Sequence, residues 1–166
     1  MAHGIIRTDK MSGTTDGSKL YSVKYKVSNV DAAIDNGCVV LLGALDPNNR
    51  EVFIGGTPTA TSAISDVVVI ATPEVMYDER LKNLNEFFNE AGKLARGYAV
   101  EPGDIFSVTK EVLDGVANPA VGNIVELKAG TKMNIASTLT AGSTKVGTII
   151  AVDIVDNDTY YVIKVA

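Results

Sequence analysis

Residues 101–166 form an almost unbroken series of strand-like runs and turns, and this series constrains the fold more than any other stretch. Its clearest signal is the final pair of runs, 146–155 and 159–165, which are rich in β-branched and aromatic residues and flank an Asp-Asn-Asp link at 156–158. A link of this kind between such runs is typical of a β-hairpin. The pattern therefore predicts a compact β unit, and nothing in it names a reaction.

Residues 19–100 add further strand-like segments. Residues 19–27 alternate between polar and apolar side chains, as a half-buried strand does. Residues 38–43 are a continuous apolar run, and residues 66–71 are apolar after Asp66; both are short enough to be buried strands. The Asp-Pro-Asn-Asn sequence at 46–49 predicts a turn into another strand.

Residues 79–96 carry the one convincing helix pattern. Their apolar side chains recur on one stripe, Asp78 is placed to cap the start, and Gly97 is placed to end the helix. We therefore expect one amphipathic α-helix over about 79–96.

Residues 1–18 differ from the rest because Gly, Ser, Thr and Asp dominate them and their one apolar pair is Ile5-Ile6. This composition predicts a flexible or extended N-terminal arm, with His3 exposed to solvent. The arm is either a frayed terminus or a segment that docks on a partner, by adding a strand or by filling an apolar slot.

The predicted fold class is mainly β: a small antiparallel barrel or sandwich with one amphipathic α-helix and an extended N-terminal arm. Strand–helix–strand alternation does not recur, which disfavours a parallel doubly wound sheet. The expected organisation is an arm at 1–18, a β-rich part with the helix at 19–100, and a C-terminal β unit at 101–166. The last two could form one continuous domain.

Composition limits the classes of partner. The net charge of −5 disfavours a nucleic-acid surface, which needs a basic face. No run reaches the ~18 apolar residues of a membrane span, and no signal peptide is visible, so we expect synthesis in a reducing cytoplasm and no membrane partner. The single cysteine, Cys38, lies in an apolar run and is expected to be a small buried hydrophobe.

Motifs for catalysis and cofactors are weak. One cysteine and one histidine cannot form a zinc site, and the Gly/Ser/Thr/Lys stretch at 141–147 lacks the order of a phosphate-binding loop. Asp153, Asp156 and Asp158 could in principle hold calcium, but solvated turn carboxylates are the simpler interpretation. We therefore predict no cofactor, no catalytic residue and no enzymatic activity.

Three stretches resemble the accessory head proteins of tailed bacteriophages, known as decoration or cement proteins. They are Met-Ala-His-Gly-Ile-Ile-Arg-Thr-Asp at 1–9, Glu-Pro-Gly-Asp-Ile-Phe-Ser-Val-Thr at 101–109, and Thr-Tyr-Tyr-Val-Ile-Lys-Val at 159–165. The resemblance implies a homo-oligomer, with a trimer favoured, on the outer face of the capsid of a virion made in bacterial cytoplasm. It also implies that the arm adds a strand to the major capsid protein. The residues that would make this contact are His3, Gly4, Ile5, Ile6 and Arg7.

Three alternatives remain open at this stage. The chain could be a tail or baseplate structural protein, or a ligand-binding β module. It could also be a hydrolase that uses Glu101, Asp104 or Asp153 with a metal. The arm hypothesis predicts that deletion of residues 1–8 leaves the domain folded but abolishes binding to expanded capsids.

Overall fold

A computed structural model describes residues 1–77 and 83–166. Within them it contains thirteen strands and five short 3-10 turns. The strands are β1 Ile6–Lys10, β2 Leu20–Val27, β3 Val30–Asp31, β4 Val39–Asp46, β5 Asn49–Gly56, β6 Val67–Ile70, β7 Ala95–Ala99, β8 Ile105–Thr109, β9 Leu113–Gly115, β10 Ile124–Glu126, β11 Met133–Ala136, β12 Lys145–Val155 and β13 Asp158–Val165. The 3-10 turns are Ser12–Thr14, Gly17–Lys19, Ile64–Asp66, Leu84–Glu86 and Lys110–Val112.

The strands form two sheets. The seven-stranded sheet has the order β1-β8-β13-β12-β10-β11-β9 and is antiparallel except for the β11–β9 pair. The six-stranded sheet has the order β3-β2-β5-β4-β6-β7, and an additional pairing of β2 with β7 connects five of its strands into a ring. The prediction of a mainly β barrel or sandwich is therefore confirmed.

One apolar core joins the two sheets. Val39 and Ile70 of the six-stranded sheet belong to the same buried cluster as Phe106 and Ile163 of the seven-stranded sheet. Main-chain contacts also connect the sheets, since the Val39 amide donates to the carbonyl of Thr131 at 2.7 Å. Burial of β-branched side chains from both sheets in one cluster makes each sheet depend on the other.

The two predicted hairpins are present. Residues 155 and 158 face each other across the last turn, so its link is two residues long rather than three. Asp156 and Asn157 take the positive φ values of 51° and 71° that this short turn requires, and Asp and Asn tolerate them better than other side chains. The turn at Pro47-Asn48 joins β4 to β5 and is also a two-residue link, with Asp46 opposite Asn49.

The predicted helix over 79–96 is wrong for the residues that the structure describes. Residues 84–86 form a 3-10 turn, Gly92 has a φ of +80°, and β7 begins at Ala95. Helical periodicity in the sequence is a weak signal for a helix, and tertiary contacts such as strand pairing override it. Here β7 pairs with both β2 and β6. The N-terminal part of the predicted helix, residues 79–82, and its expected cap at Asp78 lie outside the described residues.

The extended N-terminal arm is also wrong as a description of the fold. Residues 6–10 form β1, an edge strand that pairs antiparallel with β8, with Ile6 opposite Val108. Met11, just after β1, is buried as well. Two effects explain this. Strand β1 supplies hydrogen-bond partners to the otherwise open edge of β8, and the apolar side chains at 5, 6 and 11 are buried away from water.

Candidate interaction surface

The N-terminal residues are held within their own chain. His3 Nδ1 lies 2.8 Å from Asp35 Oδ1, and its ring stacks on Phe88 with a centroid separation of 4.6 Å. Gly4 donates its amide to Asp35 Oδ2 at 3.3 Å, and a Cβ at this position would lie 2.6 Å from the carbonyl oxygen of Asn36. His3 is therefore half-buried rather than free in solvent, with 28% of its side chain accessible.

The next three residues contribute to the core and to the outer face of the sheet. Ile5 and Ile6 are 4% and 7% exposed. The Arg7 guanidinium lies 4.3 Å from the ring centre of Tyr160, and Arg7 Nε donates to Ser107 Oγ at 3.1 Å. Contact of these residues with a capsid protein stays a prediction, but their main role in the structure is to anchor β1.

Two carboxylates proposed for hydrolysis have structural partners. Lys19 Nζ donates to Glu101 Oε1 at 2.6 Å, and this carboxylate raises the pKa of Lys19. Asp104 is buried and accepts hydrogen bonds from the amide and hydroxyl of Ser12 at 3.0 and 2.7 Å. Glu101 and Asp104 thus fix the two 3-10 turns after β1 against the entrance to β8.

The third carboxylate, Asp153, lies on β12, where its Oδ2 is 3.5 Å from Arg7. Asp156 and Asp158 follow at the hairpin turn. In residues 1–77 and 83–166, no group of three or more His, Cys, Asp or Glu side chains is arranged to hold a metal ion. These three aspartates give the end of the hairpin a negative charge.

Cys38 precedes β4 and is 3% exposed. Burial raises the pKa of its thiol to about 11. The thiol is therefore protonated at neutral pH and unreactive, which confirms the prediction of a small buried hydrophobe.

An open strand edge lies on the second half of β12. The inner half of β12 pairs with β13 on one side and with β10 on the other. The last main-chain bonds on the β10 side are both made by Ile149, whose amide donates to the Asn123 carbonyl and whose carbonyl accepts from the Gly122 amide. We call residues 150–155 the hairpin edge. Among the described residues, 151–155 pair only with β13, and Ile150 lies at a shift of register between Ile149 and Ala151. Alternate amides and carbonyls of the hairpin edge therefore point away from the sheet, where no neighbouring strand of the described residues forms hydrogen bonds with them.

The hairpin edge is apolar as well as open. Ile150, Val152, Ile154 and Val155 are 42%, 39%, 76% and 41% exposed. Val152 lies opposite Tyr161, which belongs to the core, and Ile154 lies on the same face of the strand, two residues further on. The face that buries the core thus continues along the hairpin beyond the core itself.

A separate cavity of about 540 Å³ lies between residues 72–77 and 86–94. Its lining combines exposed apolar side chains, Tyr77 and Leu94 among them, with the charged groups of Glu86, Glu90 and Lys93. If the chain is a ligand-binding β module, this cavity is where a small ligand would bind.

Comparison of the chain with family models, with curated proteins and with solved structures gave no match. Among the residues described, no helix has the length and apolar character needed to cross a bilayer.

Sequence reasoning predicted the last hairpin but missed its open edge. A signal was present, because residues 149–155 read Ile-Ile-Ala-Val-Asp-Ile-Val and are apolar at both odd and even positions. A strand with one solvated face alternates instead. Such a run predicts burial on both faces, and in the isolated chain the second half of it lacks that burial.

Proposed function

We propose that this chain is a structural virion protein that binds the outside of an assembled phage capsid and stabilises it. The observation that supports a role in contact is the hairpin edge, where unpaired main-chain groups and exposed apolar side chains coincide. This combination is what a protein needs to accept a strand from a partner. The choice of a capsid as the partner comes from the resemblance of residues 1–9, 101–109 and 159–165 to head accessory proteins.

The proposed mechanism is mechanical. Each copy contacts the major capsid protein, and a homo-oligomer, with a trimer favoured, places several such contacts across neighbouring capsomers. Repeated weak contacts on one lattice raise the overall affinity without any single strong contact. The net charge of −5 on each copy favours solubility of the decorated particle.

The contacts that residues 3–7 make within their own chain favour another part of the chain for the capsid contact. An arm that is already paired with β8 has one side of its backbone engaged, and Ile5 and Ile6 are buried in their own chain. The hairpin edge, by comparison, has both its outer backbone groups and its apolar side chains available. We therefore place the main capsid contact at the hairpin edge rather than at residues 3–7.

The test uses expanded capsids from a mutant of the encoding phage that lacks this protein. Purified chain is added, and binding is measured by co-sedimentation, electron microscopy and the temperature at which the capsids break. We expect saturable binding at ordered positions on the outer face and a higher breakage temperature. Unexpanded procapsids are the control and should bind less.

Two results would overturn this proposal. One is the absence of binding to expanded capsids at chain concentrations well above those of the capsid protein. The other is assembly of the purified chain into rings or filaments together with its location in the tail, which would favour the tail or baseplate alternative.

A further inference from the structure

We infer that the hairpin edge takes up an extended basic segment of its partner, in which apolar residues alternate with lysine or arginine, as an added β-strand. This inference rests on the proposed function for the identity of the partner, the major capsid protein. Three features of the edge itself account for the recognition: its backbone, its side chains and the charge beside it.

The backbone of the hairpin edge has a neighbouring strand on one side only. β12 loses its second neighbour after Ile149, whereas β13 continues to pair with it as far as the turn. Pairing on this side therefore ends in the middle of β12, and residues 150–155 leave an open edge for one more strand, which would continue the line of β10. An added strand of about six residues would satisfy these groups.

The side chains of the hairpin edge include exposed apolar ones. Val152 and Ile154 share one face of β12 and are both accessible. A strand laid along the hairpin edge would place every second side chain beside them. Apolar residues at those positions would cover Val152 and Ile154, which requires an alternating segment.

The charged side chains along the hairpin edge and its turn are acidic. Asp153, Asp156 and Asp158 lie along or just beyond the edge, and Asp153 has Arg7 at 3.5 Å as its ion-pair partner. In the described part of the chain, no lysine or arginine lies within ion-pair distance of Asp156 or Asp158. Basic side chains on the added strand would complement these carboxylates.

A second copy of this chain fits the edge less well. It would present the same three aspartates, so an edge-to-edge pair would bring like charges onto one short ladder, which is destabilising. The charge pattern therefore favours a basic segment over self-pairing.

The experiment measures binding of two labelled eight-residue peptides, one alternating lysine with valine and one alternating glutamate with valine. We expect the full chain to bind the lysine peptide at least tenfold more tightly than the glutamate peptide. Methylation of alternate peptide amides should abolish binding if the strand pairs through its backbone.

Two matched variants separate the edge from the general negative charge of the protein. Ile154→Lys introduces a cation at a 76% exposed position of the edge, and Val30→Lys introduces the same cation at a 68% exposed position of the other sheet. I154K should weaken binding of the lysine peptide at least tenfold, and V30K less than twofold. The double variant D156N/D158N, which keeps residue types suited to the turn, should weaken it severalfold.

The outcomes distinguish this inference from the proposed function. If I154K and V30K bind both the lysine peptide and expanded capsids equally well, the edge is not the site, although capsid binding stands. If wild-type chain fails to bind capsids but binds the lysine peptide at the edge, the recognition stands and the capsid role falls. A concentration-dependent dimer that I154K abolishes would overturn the inference, because the edge would then belong to a second copy.

Discussion

At the scale of single residues, Glu126 is the most informative buried charge. It lies on β10, is 1% exposed, and accepts hydrogen bonds from Asn134 Nδ2 at 2.8 Å and from the amide and hydroxyl of Thr140 at 2.8 and 2.7 Å. Burial raises the pKa of Glu126, but the combined hydrogen bonds outweigh burial and hold the pKa below its ordinary value. The carboxylate therefore ties the loop containing Thr140 to β10 and β11.

We predict that Glu126→Gln lowers the free energy of unfolding at pH 7 by about 1–3 kcal/mol, because the amide group of glutamine cannot accept all three hydrogen bonds. A carboxylate with a lowered folded-state pKa stabilises the fold above its unfolded pKa, about 4.3, and loses this contribution as the pH falls through the folded-state value. The difference between E126Q and wild type should therefore shrink below about pH 4.

Urea denaturation at a series of pH values measures this difference. The matched control is Glu111→Gln, because Glu111 is exposed. It should change stability by less than about 0.5 kcal/mol. A constant penalty for E126Q from pH 7 to pH 3 would show that the side chain acts through its shape rather than through its charge.

At the scale of strands, β1 is a part of the sheet rather than a free arm. Ile6 pairs opposite Val108 and is 7% exposed, whereas Ile154 on the hairpin edge is 76% exposed. We predict that Ile6→Ala lowers the free energy of unfolding by about 2–5 kcal/mol, while Ile154→Ala changes it by less than about 0.5 kcal/mol. Chemical denaturation of both variants makes the comparison.

Deletion of residues 1–8 is a second measure of the same element. Because it removes Ile5 and three of the five residues of β1, we expect it to destabilise the whole domain rather than to leave it folded. A truncated chain with wild-type stability, or equal effects of I6A and I154A, would contradict this account of β1.

Local signals in the sequence predicted some elements and could not predict others. The alternation in 20–27 and the turn residues at 156–157 act within a few positions, so β2 and the last hairpin could be predicted. Strand β1 pairs with residues 95 to 102 positions away (Lys10 with Ile105, Ile6 with Val108), and no local pattern reports that pairing. The apolar stripe in 79–96 misled because periodic apolar residues fit a helix, and they also fit the irregular segment that, in the described residues from 83 onwards, leads into β7.

The candidate surface shows the same limit. The apolar character of residues 149–155 is readable from the sequence, and so are the acidic residues around the turn. Strand β12 has no neighbour on the β10 side beyond Ile149 because β10 is short. The length of β10 depends in turn on the fold around Asn123. The chemistry of the edge was therefore accessible from sequence, and its openness was not.

At the scale of the whole molecule, the two sheets share one core, and this has a consequence for unfolding. Ile70 in β6 and Ile163 in β13 are both 0% exposed and belong to the same apolar cluster. Loops also connect the sheets, since the Gly130 and Thr144 amides donate to carbonyls at residues 58 and 60, at 3.2 and 2.8 Å. Contacts of this extent favour one cooperative unit.

We therefore predict that Ile70→Ala and Ile163→Ala each lower the stability of both sheets by about 2–5 kcal/mol, although each removes side-chain atoms from one sheet alone. The measurement is hydrogen exchange of backbone amides in β6 and β13 in each variant, with I154A as the control that should leave both unchanged. In a cooperative unit the slowest amides of both strands lose protection by the same amount, because they exchange only through global unfolding. If I70A reduces protection in β6 but leaves β13 at its wild-type value, the sheets unfold separately. In that case a capsid contact at the hairpin edge would stabilise only the seven-stranded sheet.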